Sequence, residues 1–191
     1  MDLTQAVLGS LDQSTRRRIA DSSGASPDQV SQVIAAGLPL IVGSMAKNAS
    51  TKDGASQIDG ALSKKHDGSL LDDLSGLTDG VTIDDGTKIL GHVLGQNKDI
   101  AVTKVAEKSG TSPNATATIL ATLAPVVMAQ LGKQKATGKL TAQDVGKVLT
   151  SQKGAKGTAL MDLAIKFFDK NGDGSVLDDV IGMFFGSKKA K

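Results

Sequence analysis

Ile19-Ala20-Asp21-Ser22-Ser23-Gly24-Ala25-Ser26-Pro27 and Val105-Ala106-Glu107-Lys108-Ser109-Gly110-Thr111-Ser112-Pro113 align without a gap. A second proline follows in each copy, Pro39 and Pro125, so both proline pairs lie 86 residues apart. An apolar run surrounds that second proline each time, and the match extends over Ile19–Lys47 and Val105–Lys133. The stretch carries helix punctuation. Gly24 suits a left-handed C-cap. Ser26 suits an N-cap, Pro27 the first helical position, and Gln29 completes a capping box. The pattern predicts a duplicated helical hairpin, with a kink or break where each inner proline removes an amide hydrogen.

Working outward, Leu3, Ala6, Val7 and Leu11 mark a short helix over 2–11, and a second helix covers 13–22. Leu140–Leu149 reads as a short helix with Val145, Val148 and Leu149 on one side. Glycine and aspartate punctuate 50–60 and 76–87, which read as loops, with a helix at Lys88–Leu94. No segment alternates with period two, which argues against a sheet. The expected architecture is all-α, an orthogonal multi-helix array of two related halves, residues 1–98 and 99–191. The second half ends in a helix–loop–helix.

Composition narrows the function classes. The 191 residues include no Cys, Trp or Tyr and only four Phe, so the core must be aliphatic. Absence of cysteine excludes disulfides, thiolate metal sites and cysteine nucleophiles. A formal net charge of +2 gives no case for anionic membranes or nucleic acid. The start, Met1-Asp2-Leu3-Thr4-Gln5, lacks the basic and apolar regions of a signal peptide. Ile119–Leu131 is too short to span a bilayer. The expectation is a soluble, cytoplasmic protein with no membrane partner.

One stretch has a specific chemical signature: Asp169-Lys170-Asn171-Gly172-Asp173-Gly174-Ser175. Calcium takes several hard oxygen ligands at alternate loop positions, with a glycine at the sixth for the turn. Counting from Asp169, Asn171 is third, Asp173 fifth, Gly174 sixth and Ser175 seventh, where its carbonyl would serve. This part resembles EF-hand and dockerin-type loops, flanked by Leu160–Phe168 and Val176–Phe185. The twelfth position is Val180, so Asp178 or Asp179 must close the shell. The expected cofactor is therefore Ca2+ at a shortened loop, held by Asp169, Asn171, Asp173, Ser175 and Asp178 or Asp179. An echo lies 106 residues earlier, where Asp67-Gly68-Ser69-Leu70-Leu71-Asp72-Asp73 matches Asp173-Gly174-Ser175-Val176-Leu177-Asp178-Asp179. There Ser63 and Lys65 take the first and third positions, so that copy reads as a helix start, with Ser69 and Asp72 forming a capping box. Phe167, Phe168, Phe184 and Phe185 read as packing around the second loop, with a protein-docking patch as the alternative.

The hairpin Ile19–Ile34 also resembles a DNA-binding helix-turn-helix. A nucleic-acid contact would use Arg16, Arg17 and Arg18 with Gln29 and Gln32. The second helix, however, offers no Arg or Lys at its exposed start and soon turns apolar, which argues for helix packing. His66 and His92 have no evident acid or nucleophile partner and read as loop or surface residues. No catalytic constellation is present.

Together, the Ser-Gly-x-Ser-Pro turn, the apolar helices carrying Leu38-Pro39 and Ala124-Pro125, and the Asp-Gly-Ser-x-x-Asp-Asp motif resemble the YidB-like bacterial family, a domain of unknown function. That resemblance implies an all-α helix array. It implies no activity, substrate or catalytic residue. The expected function is a non-enzymatic structural or interaction protein with a calcium-type loop, and the alternative is a DNA-binding or nucleoid-associated protein.

Overall fold

A computed structural model describes residues 3–151. Among them the chain forms α1 (Leu3–Ser10), α2 (Gln13–Ser23), α3 (Pro27–Asn48), α4 (Lys52–Lys64), α5 (Gly80–Leu94), α6 (Lys98–Ser109), α7 (Pro113–Gly138) and α8 (Ala142–Ser151). Short 3-10 turns cover Ser69–Asp72, Ser75–Thr78 and Gly95–Asn97, and the described residues contain no strand. The chain is all-α.

The aligned stretches take the same local geometry. Gly24 and Gly110 sit in the left-handed region at φ 70° and 60°, and their N–H groups return to the Ala20 and Ala106 carbonyls. Ser26 and Ser112 then cap α3 and α7 through the N–H groups of Gln29 and Ala115, each at 3.2 Å. Gln29 accepts from Ser26 N–H at 2.9 Å and donates to the Gly110 carbonyl at 2.7 Å, so one turn leans on the other.

Of the kink or break expected at Pro39 and Pro125, the break is not taken: both helices run through their prolines. A proline inside a helix costs about 3 kcal/mol, while burying each large aliphatic side chain returns about 1.5–3 kcal/mol. Every residue from Val33 to Ala46 is buried, as is every residue from Ile119 to Ala129. Burial on all sides therefore outweighs the missing hydrogen bond. Both helices are long and apolar enough to cross a membrane, which corrects the expectation drawn from the shorter run at Ile119–Leu131. In this fold 83% of each apolar window is buried against protein.

The α3–α7 pair forms the centre, and one hydrophobic cluster draws Leu3 and Val7 of α1, Ile19 of α2, Leu90 and Leu94 of α5, Val105 of α6 and Val145 and Leu149 of α8 onto it. The two helices meet where the Leu120 side chain lies over Gly37; a Cβ on Gly37 would fall 2.1 Å from a Leu120 methyl carbon.

Residues 52–60 and 80–87 are helical where glycine and aspartate suggested loops, and the helix expected at Lys88–Leu94 is the second half of α5. Thr51 caps α4 by accepting from Gly54 N–H at 3.1 Å, and Ala55 and Leu62 are buried one above the other. The glycines mark close approach and not chain reversal. Gly54 faces the Asn48 carbonyl, and Gly86 faces the Ala121 carbonyl. Ala121 is four residues before Pro125, so this carbonyl has no proline N–H to bond within its own helix. The Cα of Gly86 fills that place, giving a weak C–H···O contact.

The two glycines of α5 make a matched test. A Cβ at Gly86 would lie 1.7 Å from the Ala121 oxygen, whereas nothing lies within 4 Å of one at Gly91. Gly86→Ala is expected to destabilise the fold by about 1–3 kcal/mol through overpacking. Gly91→Ala is expected to stabilise it by about 0.5–1 kcal/mol through helix propensity. Urea unfolding of the two variants checks the opposite signs.

Candidate functional site

The six residues read as calcium ligands, Asp169, Asn171, Asp173, Ser175, Asp178 and Asp179, lie outside the described residues, as do the four phenylalanines. Their earlier echo is described. Ser69 does not cap a helix there, and the expected box with Asp72 does not form. Instead Gly68 takes φ 111° and Asp67 Oδ1 accepts from the Ser69 N–H at 3.0 Å. The short Asp67 side chain closes its own turn by accepting from the N–H two residues on. That hydrogen bond holds the exposed Asp67 carboxyl below its usual range. Asp73 repeats the device on Ser75 N–H at 2.8 Å and is lowered in the same way. Among the described residues, no group of three or more His, Asp or Glu is placed to hold a metal ion.

The helix-turn-helix candidates are divided. The Arg16 Nε donates to the Leu11 carbonyl at 2.8 Å, and Arg18 donates to the Ser75 carbonyl at 3.0 Å and to the Thr15 hydroxyl at 3.3 Å. Gln29 is committed to the capping box and Gly110. Arg17 and Gln32 are exposed, while Val30, Val33 and Ile34 face the core.

A site the sequence did not point to lies between α4 and α5. It is a groove of about 850 Å3. Its apolar surface comes from Met45 of α3, Ile58 and Ala61 of α4, Ile89 and Val93 of α5, and Met128 of α7. Lys47, Asn48, Lys65, His66, Asp85, Lys88 and His92 bring polar groups to it. Asn48 donates to the His92 and Val93 carbonyls at 3.4 and 3.2 Å, which ties the end of α3 to the last turn of α5. On the other side Lys135 of α7 pairs with Asp59 of α4 at 2.5 Å and donates to Ser63 Oγ at 2.6 Å.

His66 departs from its sequence reading as a loop or surface residue without an acid partner. It follows α4 in a loop, as read, but is buried at 9% exposure, with Nε2 3.5 Å from Asp85 Oδ2. Its backbone is locked as well: a Cβ on Gly132 would lie 1.7 Å from the His66 carbonyl oxygen. No sequence signal gave this pairing, because His66 and Asp85 meet only through the packing of their segments on α7. His92, on α5, is exposed as read.

The described chain is thus an all-helical array that carries a groove between α4 and α5 and the two aspartate turns. The profile of a bacterial protein family of unknown function (DUF937) matches residues 5–134. The chain belongs to that family. The match takes in α1 to α6, most of α7 and both Ser-Gly-x-Ser-Pro turns, and stops before α8 and the Asp169–Asp179 loop. Neither a curated protein nor a solved structure matches the chain.

Burial lowers the His66 pKa, with Lys65 adding to the effect and the Asp85 and Asp67 charges opposing it. Above the usual imidazole value of about 6.5 the folded and unfolded chains are both neutral at this residue. Below it the unfolded chain takes up a proton before the folded one does, so stability falls with pH until the folded value is passed. The melting temperature is expected to drop between pH 7.5 and pH 5.5. His66→Gln should flatten that part of the curve, as thermal melts across the interval would show.

Proposed function

We propose that the protein is a non-enzymatic structural or interaction module whose C-terminal segments are clipped by a calcium ion at residues 169–179. The observation that carries this reading is the conformation of the matching loop at Asp67-Gly68-Ser69. Its glycine takes φ 111°, in the positive-φ range that the sharp turn at the sixth position of a calcium loop calls for. Its aspartate is ionised and held at the turn. The second copy keeps Asp173-Gly174-Ser175 and replaces Ser63 and Lys65 with Asp169 and Asn171. One ammonium group is exchanged for an amide oxygen, and one hydroxyl for a carboxylate. Asp169, Asn171 and Asp173 would supply side-chain oxygens, Ser175 its carbonyl, and Asp178 or Asp179 the closing carboxylate. The bound ion would offset the mutual repulsion of these acids and hold the segments on either side together. Because the closing acid is not at the twelfth position, the reading is of a stabilising clip and not of a switch.

We place the protein in the cytoplasm. What supports this is that the two membrane-length helices bury their apolar windows against neighbouring helices. No observation favours the nucleic-acid reading, since two of the three arginines and Gln29 are engaged within the fold.

Calcium binding is measured by titration calorimetry and by melting with calcium or with chelator. A ligand that binds only the folded state stabilises it by about 2.7 kcal/mol at a hundredfold excess over Kd. The wild-type chain should bind one ion and melt higher in calcium, and Asp173→Ala should do neither. Calcium without heat of binding and without effect on melting would sink the proposal. For DNA, no retardation is expected in a gel at low salt, where phosphate contacts are strongest.

A further inference from the structure

We propose that the groove between α4 and α5 is the seat of this chain's own apolar segment, residues 160–185. The described chain ends near this groove. The Leu140 N–H returns to the Lys135 carbonyl, so α8 starts beside the end of α7, at the level where Lys135 meets Asp59 and Ser63. Six residues on, Gly146 lies against the Ala49 carbonyl and the Ala55 methyl group. Helix α8 therefore runs back along α4 towards its first turn, meets Ala49 in the Lys47–Gly54 stretch that borders one end of the groove, and ends five residues later at Ser151. Residues 152–159 span up to about 26 Å when extended. The α4 wall from Gly54 to Lys65 is only about 17 Å long, at the helical rise per residue.

At the 106-residue spacing, Leu160–Phe168 corresponds to Gly54–Leu62 of α4, a helix that packs along α7. The match of α7 is α3, and there α8 already packs. The corresponding segment needs another apolar surface, and the groove offers the half-buried Ile58 and Ala61 of α4, with small exposed parts of Ile89 and Val93 beside them. Phe167, Phe168, Phe184 and Phe185 are the chain's only aromatic residues.

Charge agrees. Residues 160–185 hold five aspartates against two lysines. The groove carries Lys47, Lys65 and Lys88 against Asp53 and Asp85. The segment is acidic where the groove leans basic, so docking brings opposite charges together around an apolar centre. This seat does not depend on the calcium reading, and its test is run in chelator.

The full chain with a photo-cross-linking amino acid in place of Gln57, an exposed residue of the α4 wall, tests the seat directly. Irradiation at low protein concentration should give a monomeric product joined to residues 160–185. Cross-links to a second copy, to any other part of the chain, or to nothing would overturn the proposal. The absence of cysteine allows a second measurement, with Gln57→Cys as the only thiol. Adding Phe167→Ser and Phe168→Ser should speed its labelling about tenfold, since labelling follows the open fraction. The exposed control Asn114→Cys should label at one rate in both backgrounds, which shows that the fold is kept. Equal rates at Gln57→Cys would also reject the seat.

Discussion

Two helices that are apolar on every side set the terms for the described structure. A helix with one apolar stripe can lie on a surface, but one that is apolar all round must be covered. Helices α3 and α7 cover part of each other where Leu120 lies over Gly37. The other helices supply the rest. Helix α1 crosses α7, and α5 crosses both long helices. The crossings are tied by amide side chains. Gln130 of α7 donates to the Ala6 carbonyl of α1 at 3.1 Å, and Asn48 of α3 donates to the His92 carbonyl of α5. Ala6-Val7-Leu8-Gly9 and His92-Val93-Leu94-Gly95 are again 86 residues apart. The spacing read from the proline turns therefore extends to the short helices that cover the long ones.

Covering such helices closely requires places without side chains. Gly37, Gly86 and Gly132 each stand where a Cβ would collide with a neighbouring helix or loop. Within a helix each glycine costs about 0.8–1.0 kcal/mol relative to alanine. That is small against the close packing it permits, because overpacking alone costs about 1–3 kcal/mol. The inner prolines belong to the same economy of backbone groups. The Ala121 carbonyl, four residues before Pro125, is met by the bare Cα of Gly86. Two of the buried hydroxyls turn back on their own helices. Ser109 and Thr122 donate to carbonyls four residues earlier, at 2.7 and 2.9 Å.

Legibility in the sequence followed the range of the interactions. The caps were readable because an N-cap and its partner lie three residues apart. Asp12, Ser26, Thr51 and Ser112 all accept from an N–H three residues on. Of these, Ser26 was read and Thr51 was not, because Gly54 beside it looked like a breaker. Gly54 and Gly86 report close backbone approaches, and their sequence context cannot distinguish that from a turn. The Asp67 turn was misassigned to Ser69 because both residue types cap turns, and two such residues so close in sequence do not say which one closes it. The groove was not legible at all. Periodicity names a face only where a helix has one, and α3 and α7, which contribute Met45 and Met128, are buried on all faces.

The groove itself follows from the spacing of contacts on α7. Gly86 of α5 rests on the Ala121 carbonyl, and the His66 carbonyl rests on Gly132. These points are eleven residues apart, or about 16 Å along the helix. Met128 lies between them and lines the groove. One wall is thus pinned at one contact, and the loop after the other wall at the second. The separation cannot close without a Cα–carbonyl contact being lost, and Lys135–Asp59 holds α4 from the far side. The opening is consequently as rigid as the buried run of α7 on which both contacts rest. Whatever occupies the groove must match a width set by helical rise, which favours an apolar segment about one helix across over a small solute free to settle anywhere along it.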